Sequence, residues 1–444
     1  MPGPRFYFPA DLHRKIRKDF TMSRCHHRLV LLPIFALSFF TVTYIATATN
    51  YDETNVGTYT LPDPLVCADG SRVTNAEMWT QKRRAEILDL YHENIFGRSP
   101  AAGTNVTFNV WETSTNALGG TATRKQVEIN FSGTMDGPLA HLLLYTPAGK
   151  TSVPTFLCLS FTGNYAVIDD PAIAMFPEWN WKTKQFGMPK NPVRGSSARN
   201  WKISEAIARG YGIAIICYTE IEPDLAGGAG FKLGVHKNFP APQKNEWGGI
   251  GAWAWGASRA LDYLQTDRDV DAKRVILFGH SRLGKTVLWA GAQDERFAAV
   301  IANGSGEMGA ALSRRDFGET VDDVAKRFPY WMAQNFQQFS NRWSALPVDS
   351  HCLISLIAPR PLFLNSGSDD KWADPMGEFL AACAAKPVYR LFGKTGITET
   401  NFPPLDHPLK HDIWLNCHVG KHDVLPSDWD KFLDFADAQF LKTK

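Results

Sequence analysis

Apolar positions recur along this chain first at every second residue and then in blocks that alternate between strand and helix spacing. Lys125–Phe131 puts Val127, Ile129 and Phe131 on one face, the two-residue period of a half-buried strand. His141–Tyr145 continues the strand pattern, and Pro154–Phe161 is nearly all apolar, as a strand covered on both faces requires. The pattern then predicts a helix at 203–209, a strand at 212–218, a helix at 249–265, a strand at 274–278, a helix at 285–292 and a strand at 297–303. Two more strands, at 358–365 and 412–418, precede a helix-spaced segment at 429–441, and 75–91 predicts a helix in the lead-in. Such alternation makes βαβ units and an α/β fold: a mostly parallel, doubly wound sheet entered by antiparallel N-terminal strands. There are no internal repeats.

Two stretches follow neither period, 164–200 and 306–350, both rich in Trp, Phe, Pro, Gly and Arg. Long irregular segments at the carboxyl edge of a parallel sheet build binding clefts, and these are expected to wall one. With 444 residues, 44% of them hydrophobic, the chain is long enough for one large domain with insertions. Its 14 tryptophans and 28 phenylalanines divide between core and an aromatic- or carbohydrate-binding surface.

Residues 1–48 read differently. Basic Arg14, Lys15, Arg17 and Lys18 precede Met22, and a second basic stub leads into the apolar run 29–46 and the small-residue site Ala46-Thr47-Ala48. That order is a secretory signal starting at Met22, with the mature chain beginning near Thr49. An uncleaved anchor is the alternative, opposed by Pro33, Ser38, Thr41 and Thr43. No other segment could cross a membrane, so a secreted or periplasmic protein is expected.

The chain as a whole carries +2, but without its first 48 residues it holds 40 basic against 43 acidic side chains, net −3. The slight basicity belongs to the leader and is no sign of nucleic-acid binding. Six of the seven cysteines follow the leader, none in a C-x-x-C pair; Cys158 and Cys217 lie in apolar strands as buried thiols, and bridging is left open. His407 and His411 have the spacing of a zinc pair on a helix, but Pro408 between them breaks such a helix, and no metal site is expected.

The chemistry concentrates at Gly279-His280-Ser281-Arg282-Leu283-Gly284-Lys285, between an apolar strand and an apolar helix. Strand, sharp turn with serine at its tip, and helix are the parts of a nucleophile elbow, although the second glycine stands one place later than in G-x-S-x-G. Such a serine attacks a carbonyl and needs a base, which in turn needs an orienting acid. Elbow hydrolases supply these in the order Ser, acid, His, each on a loop after a strand. Asp370, in the turn Ser366-Gly367-Ser368-Asp369-Asp370, is the first choice for the acid, with Asp369 in reserve. His422, in the loop between the last strand and the last helix, fits the base better than His418.

The heptapeptide at 279–285 resembles the G-x-S-R-x-G-K signature of the glucuronoyl esterases, carbohydrate esterases of family 15 that cleave esters between 4-O-methyl-glucuronate of xylan and lignin alcohols. The resemblance continues through Arg194-Gly195, Arg199-Asn200-Trp201, Arg209-Gly210-Tyr211-Gly212, Leu346-Pro347-Val348-Asp349, Ile357-Ala358-Pro359-Arg360-Pro361, Asp370-Lys371-Trp372-Ala373-Asp374-Pro375 and Gly420-Lys421-His422-Asp423, in the order of the bacterial branch. It implies an α/β-hydrolase fold with cleft-forming insertions: a lead-in at 49–110 packed on the core and a catalytic domain at 111–444. It implies Ser281 as nucleophile, His422 as base, Arg282 as an oxyanion-hole residue, Lys285 as a contact to sugar hydroxyls and Trp372 beside the glucuronate ring.

Two departures from the fungal pattern carry expectations of their own. Fungal members bring a catalytic glutamate from the loop after the next strand, where this chain has Gly304, so the acid must come from elsewhere; Asp370 is preferred and Glu307 is the competitor. Fungal members also flank the serine and histidine with a disulfide, where this chain has His280 and Asp423, and these two are expected to form a polar substitute. The mechanism implied is a Ser-His-Asp relay through a covalent acyl-enzyme, without metal or organic cofactor, in a monomer acting on glucuronoxylan or lignin–carbohydrate esters. An acetyl xylan or feruloyl-type esterase with the same relay stays open, as does a catalytically dead carbohydrate-binding homologue.

Overall fold

The computed structural model describes residues 49–101, 105–180, 183 and 185–441, so the leader assigned to 1–48 lies outside the described residues. Twelve strands are found among them: β1 (Thr107–Ala117), β2 (Ala122–Asn130), β3 (Leu139–Pro147), β4 (Val153–Ser160), β5 (Glu178–Asn180), β6 (Gln185–Gly187), β7 (Gly212–Cys217), β8 (Val270–His280), β9 (Ala299–Asn303), β10 (Leu362–Gly367), β11 (Leu409–Lys410) and β12 (Ile413–His418). Ten form one sheet in the order β1-β2-β3-β7-β4-β8-β9-β10-β12-β11, and β5 and β6 make a separate hairpin. The pairs β1–β2, β2–β3 and β3–β7 are antiparallel. From β7 to β12 every pair is parallel. This is the expected α/β-hydrolase sheet, with the elbow strand β8 near its middle.

The apolar runs of the parallel strands follow from burial on both faces. Ala214, Ile216, Val275 and Leu277 face one core with the helices Gly249–Leu264 and Arg282–Gln293. Their neighbours Ile213, Ile215, Ile276 and Phe278 face the other, with Ile203–Ala208 and Pro426–Phe440. The lead-in packs on the first core through Trp79, Ile87, Tyr91 and Phe96, and from Thr49 onward the chain forms one compact unit.

The pattern placed most elements to within a few residues, and its misses have causes. β1 runs through residue 110, the expected end of the lead-in; its mostly exposed side chains give it no apolar face to read. The strand expected at 358–365 begins only at Leu362, because Pro359 and Pro361 have no N–H to donate to a ladder. The helix Pro375–Leu391, absent from the sequence reading, starts behind an Asp374 cap whose carboxylate accepts from Gly377 N–H. The six cysteines in the described residues are free thiols.

Candidate active site

Ser281 sits between β8 and the helix Arg282–Gln293 with φ 60° and ψ −128°, a strained conformation that costs about 1–3 kcal/mol and turns its side chain out of the sheet edge. Both glycines of the motif permit this turn. A Cβ on Gly279 would lie 2.2 Å from the Leu283 carbonyl oxygen, and one on Gly284 would press on Ser305 Cβ at 3.0 Å and Asn303 O at 3.1 Å. The second glycine is therefore needed at 284, where the helix crosses the end of β9, while Leu283 is buried.

Ser281, His422, Arg282, Lys285 and Trp372 all line one cleft of about 210 Å³, together with Glu319, Arg327, Phe328 and Trp331. His422 donates from Nδ1 to Asp370 Oδ2 at 2.5 Å, and Asp370 is buried while the imidazole is partly open. Ser281 and His422 meet in the cleft without a direct hydrogen bond among the described residues, a gap common in elbow sites before substrate closes it. Of the competing acids, Asp369 is exposed and Glu307 accepts from the Ser313 hydroxyl at 2.6 Å. Burial pushes the Glu307 carboxyl well above its usual range. Gly304 has φ 53°, and a Cβ there would lie 3.0 Å from His422 Cε1, so its bare backbone leaves room for the imidazole to turn toward Asp370.

Arg282 is fixed on both sides. Its guanidinium meets Asp224 Oδ2 at 2.5 Å and lies over the Trp331 ring at 4.8 Å. Asp224 is fully buried and also accepts from Tyr218, Tyr330 and Trp331 Nε1 at 3.0, 2.5 and 2.8 Å. Arg282 opens the helix that follows the serine, so its backbone N–H lies at the helix N-terminus, next to Ser281. Lys285 is not a solvated first-turn lysine: it is buried and donates to Ser305 O at 2.7 Å and Glu319 Oε2 at 2.9 Å. Arg327 covers the Trp372 ring at 5.1 Å. The stretch 306–350 supplies Glu319, Arg327, Phe328 and Trp331 to the wall. The stretch 164–200 instead reaches the rim, where Arg199 and Asn200 hold the Asp423 carboxylate.

The expected direct bridge between His280 and Asp423 is not formed. Asp423 is occupied by Arg199 and Asn200, and His280 Nδ1 meets the Asn303 side chain at 2.6 Å. Asn303 stands between them, donating to the Asp423 carbonyl oxygen at 2.8 Å. His418 braces the same loop from below, with Nδ1 3.0 Å from Asp428 and Nε2 3.1 Å from the Lys421 carbonyl. His407 and His411 take separate partners, Leu405 O and the Glu399 carboxylate.

Burial opposes charge on His418, but the hydrogen bond and charge of Asp428 outweigh it and raise its pKa. A raised histidine contributes stability that is complete below the unfolded pKa near 6.5 and fades as pH rises through the folded value. The denaturation midpoint of the native protein should therefore exceed that of His418→Gln most at about pH 5, and the gap should narrow toward about pH 9. A gap independent of pH would contradict this.

The sheet and its serine elbow place the protein among the α/β hydrolases. A family profile described as glucuronyl esterase of fungi matches residues 235–393. The chain is 46% identical over 395 residues to the carbohydrate esterase MZ0003 of an unknown prokaryotic organism, covering 87% of this chain and 91% of that protein. Among solved structures, a glucuronoyl esterase from Solibacter usitatus aligns with TM-score 0.84 at 44% identity, over 87% of this chain and all of the other. A promiscuous family 15 esterase from a marine bacterial metagenome aligns with TM-score 0.82 at 45% identity, over 88% of this chain and all of the other. The chain belongs to the glucuronoyl esterases of carbohydrate esterase family 15, on their bacterial branch, and is a carboxylic ester hydrolase.

Sequence reading missed Glu319, Asp224 and Trp331. Each acts through a partner 34 or more positions away, so no local motif marks it.

Proposed function

We propose that the protein hydrolyses esters of glucuronic or 4-O-methyl-glucuronic acid through a Ser281–His422–Asp370 relay and a covalent acyl-enzyme. The observation that carries this reading is the cleft beside the elbow, where Arg282, Lys285, Arg327 and Glu319 are interleaved with Phe328, Trp331 and Trp372. Such a lining suits an acyl group that is a sugar acid: cations favour the carboxylate released, and the Lys285–Glu319 pair offers a donor and an acceptor to ring hydroxyls. An acetyl or feruloyl group would use neither.

Ser281 attacks the ester carbonyl as His422 takes its proton, with Asp370 holding the imidazole so that Nε2 is the base. Oxyanion charge develops beside the Arg282 N–H and guanidinium, preorganised donors worth roughly 3–4 kcal/mol each when one such donor is removed. His422 then protonates the leaving alcohol and activates the water that releases glucuronate. Neither step calls on a metal or an organic cofactor. The leader, if cleaved, puts this activity outside the cytoplasm, on glucuronoxylan or lignin–carbohydrate esters.

Rates on benzyl glucuronate, acetylated xylan and an aryl acetate test the assignment. The glucuronate should be hydrolysed best, and Lys285→Met and Trp372→Ala should each lower its kcat/KM by roughly 10–200-fold while changing the aryl acetate rate less than about threefold. Preference for acetylated xylan, or equal losses on all three substrates, would overturn the assignment.

A further inference from the structure

Three parallel strands carry an asparagine directly after their apolar run: Ala299-Val-Ile-Ala-Asn303, Leu362-Phe-Leu-Asn365 and Ile413-Trp-Leu-Asn416. The three asparagines lie in register with one another, and Asn303 is in register with His280 on β8. All three amides are buried, at positions where neighbouring strand residues are apolar. Burying amides in a sheet core is costly unless they are bonded, and these bond to each other, with Asn416 Oδ1 at the end of the row left without a partner among the described residues. Asn416 Nδ2 donates to Asn365 Oδ1 at 2.7 Å, Asn365 Nδ2 donates to Asn303 Oδ1, and Asn303 Nδ2 reaches His280 Nδ1 at 2.6 Å and the Asp423 carbonyl at 2.8 Å.

One carbonyl sets the direction of the whole rung. The Asp423 oxygen can only accept, so Asn303 must turn its NH2 toward it and its oxygen toward Asn365, which fixes Asn365 and then Asn416. The same NH2 makes His280 Nδ1 an acceptor and leaves the ring proton on Nε2. The alternative partner of Nδ1, Asn303 O, lies at 3.3 Å and already accepts from the Ser281 N–H. The His280 ring stands 4.5 Å from that of His422, and Asp423 is the next residue to His422. Burial and then the charge of His422 push the His280 pKa down to about 3, so the supporting ring stays neutral.

We propose that the rung His280–Asn303–Asn365–Asn416 is a positioning device for His422: a directed chain of amides that anchors the histidine loop at Asp423 and backs the catalytic imidazole with a neutral ring of fixed tautomer. This rests on His422 being the base. The Asn365 side chain neither lines the cleft nor bonds the imidazole, which makes it the place to test direction rather than contact. In Asn365→Asp, held at a pH where the new side chain is ionised, the isosteric carboxylate still accepts from Asn416 but cannot donate to Asn303. A charged acceptor outbids the neutral Asp423 carbonyl, so Asn303 reverses, withdrawing its NH2 from Asp423 and moving the His280 proton to Nδ1.

The test is nitrogen NMR of His280 in the native enzyme and in N365D, together with kcat and KM on benzyl glucuronate. The native spectrum should show an unprotonated Nδ1. N365D should show a protonated one, with kcat lower by roughly 10–100-fold and KM nearly unchanged, since small misplacement of a base costs about that much. A native His280 protonated on Nδ1 overturns the proposal even if N365D does not fold, and so does a folded N365D with native kcat. Failure of the underlying reading would look different: His422→Ala would keep its turnover, whatever the tautomer of His280.

Discussion

Replacing Ser281 by alanine should lower kcat on a methyl or benzyl glucuronate by more than about 10³-fold, toward the 10⁶-fold that loss of an elbow nucleophile can cost. The effect should fall on chemistry alone. Ser281 holds φ 60° in the native chain, and alanine carries the same Cβ into that conformation, so the backbone strain is unchanged. The hydroxyl is not a helix cap either, so its removal orphans no backbone donor. Denaturation midpoint and affinity for glucuronate should stay near native while turnover disappears. A variant keeping more than about a thousandth of the native rate would mean that Ser281 is not the nucleophile.

The second large effect is expected at Asp370. Asp370→Asn preserves size and the contact to Ala373 N–H, but it can present an NH2 to His422 Nδ1. The ring must then carry its proton on Nε2 and cannot accept one from serine, a change worth roughly 10⁴-fold in kcat. The same substitution logic at the two competitors gives contrasting results. Asp369→Asn alters an exposed side chain bonded to Ser368, and Glu307→Gln alters one bonded to Ser313, so each should leave kcat within about threefold of native. Steady-state kinetics of the three variants on one substrate decides among the acids. A large loss in Glu307→Gln with a native-like Asp370→Asn would reverse the assignment.

Much of the site is written locally in the sequence. A strand, a turn and a helix in succession mark the elbow, and loop positions after the strands at 362–367 and 413–418 mark Asp370 and His422. Those features depend on backbone geometry that nearby residues impose. The residues that hold Arg282 and Lys285 depend on tertiary distance instead: Asp224 is 58 positions from Arg282, and Glu319 is 34 from Lys285. Their identity could not follow from spacing. The asparagine rung had a visible signal, an Asn directly after the apolar run of each of three strands, but its meaning requires the register that aligns them. The expected link between the His280 and Asp423 side chains is absent, because Arg199 and Asn200 take the carboxylate while Asn303 takes His280 Nδ1 and the Asp423 carbonyl.

A Ser281 nucleophile requires that the glucuronoyl group pass through its hydroxyl oxygen in every turnover. Turnover of benzyl glucuronate stopped with acid after a few milliseconds, followed by proteolysis and mass spectrometry, should find a glucuronoyl ester on the peptide carrying Ser281 and on no other. Unmodified Ser281 peptide from an enzyme that is turning over, or a glucuronoyl adduct on a different residue, would contradict it.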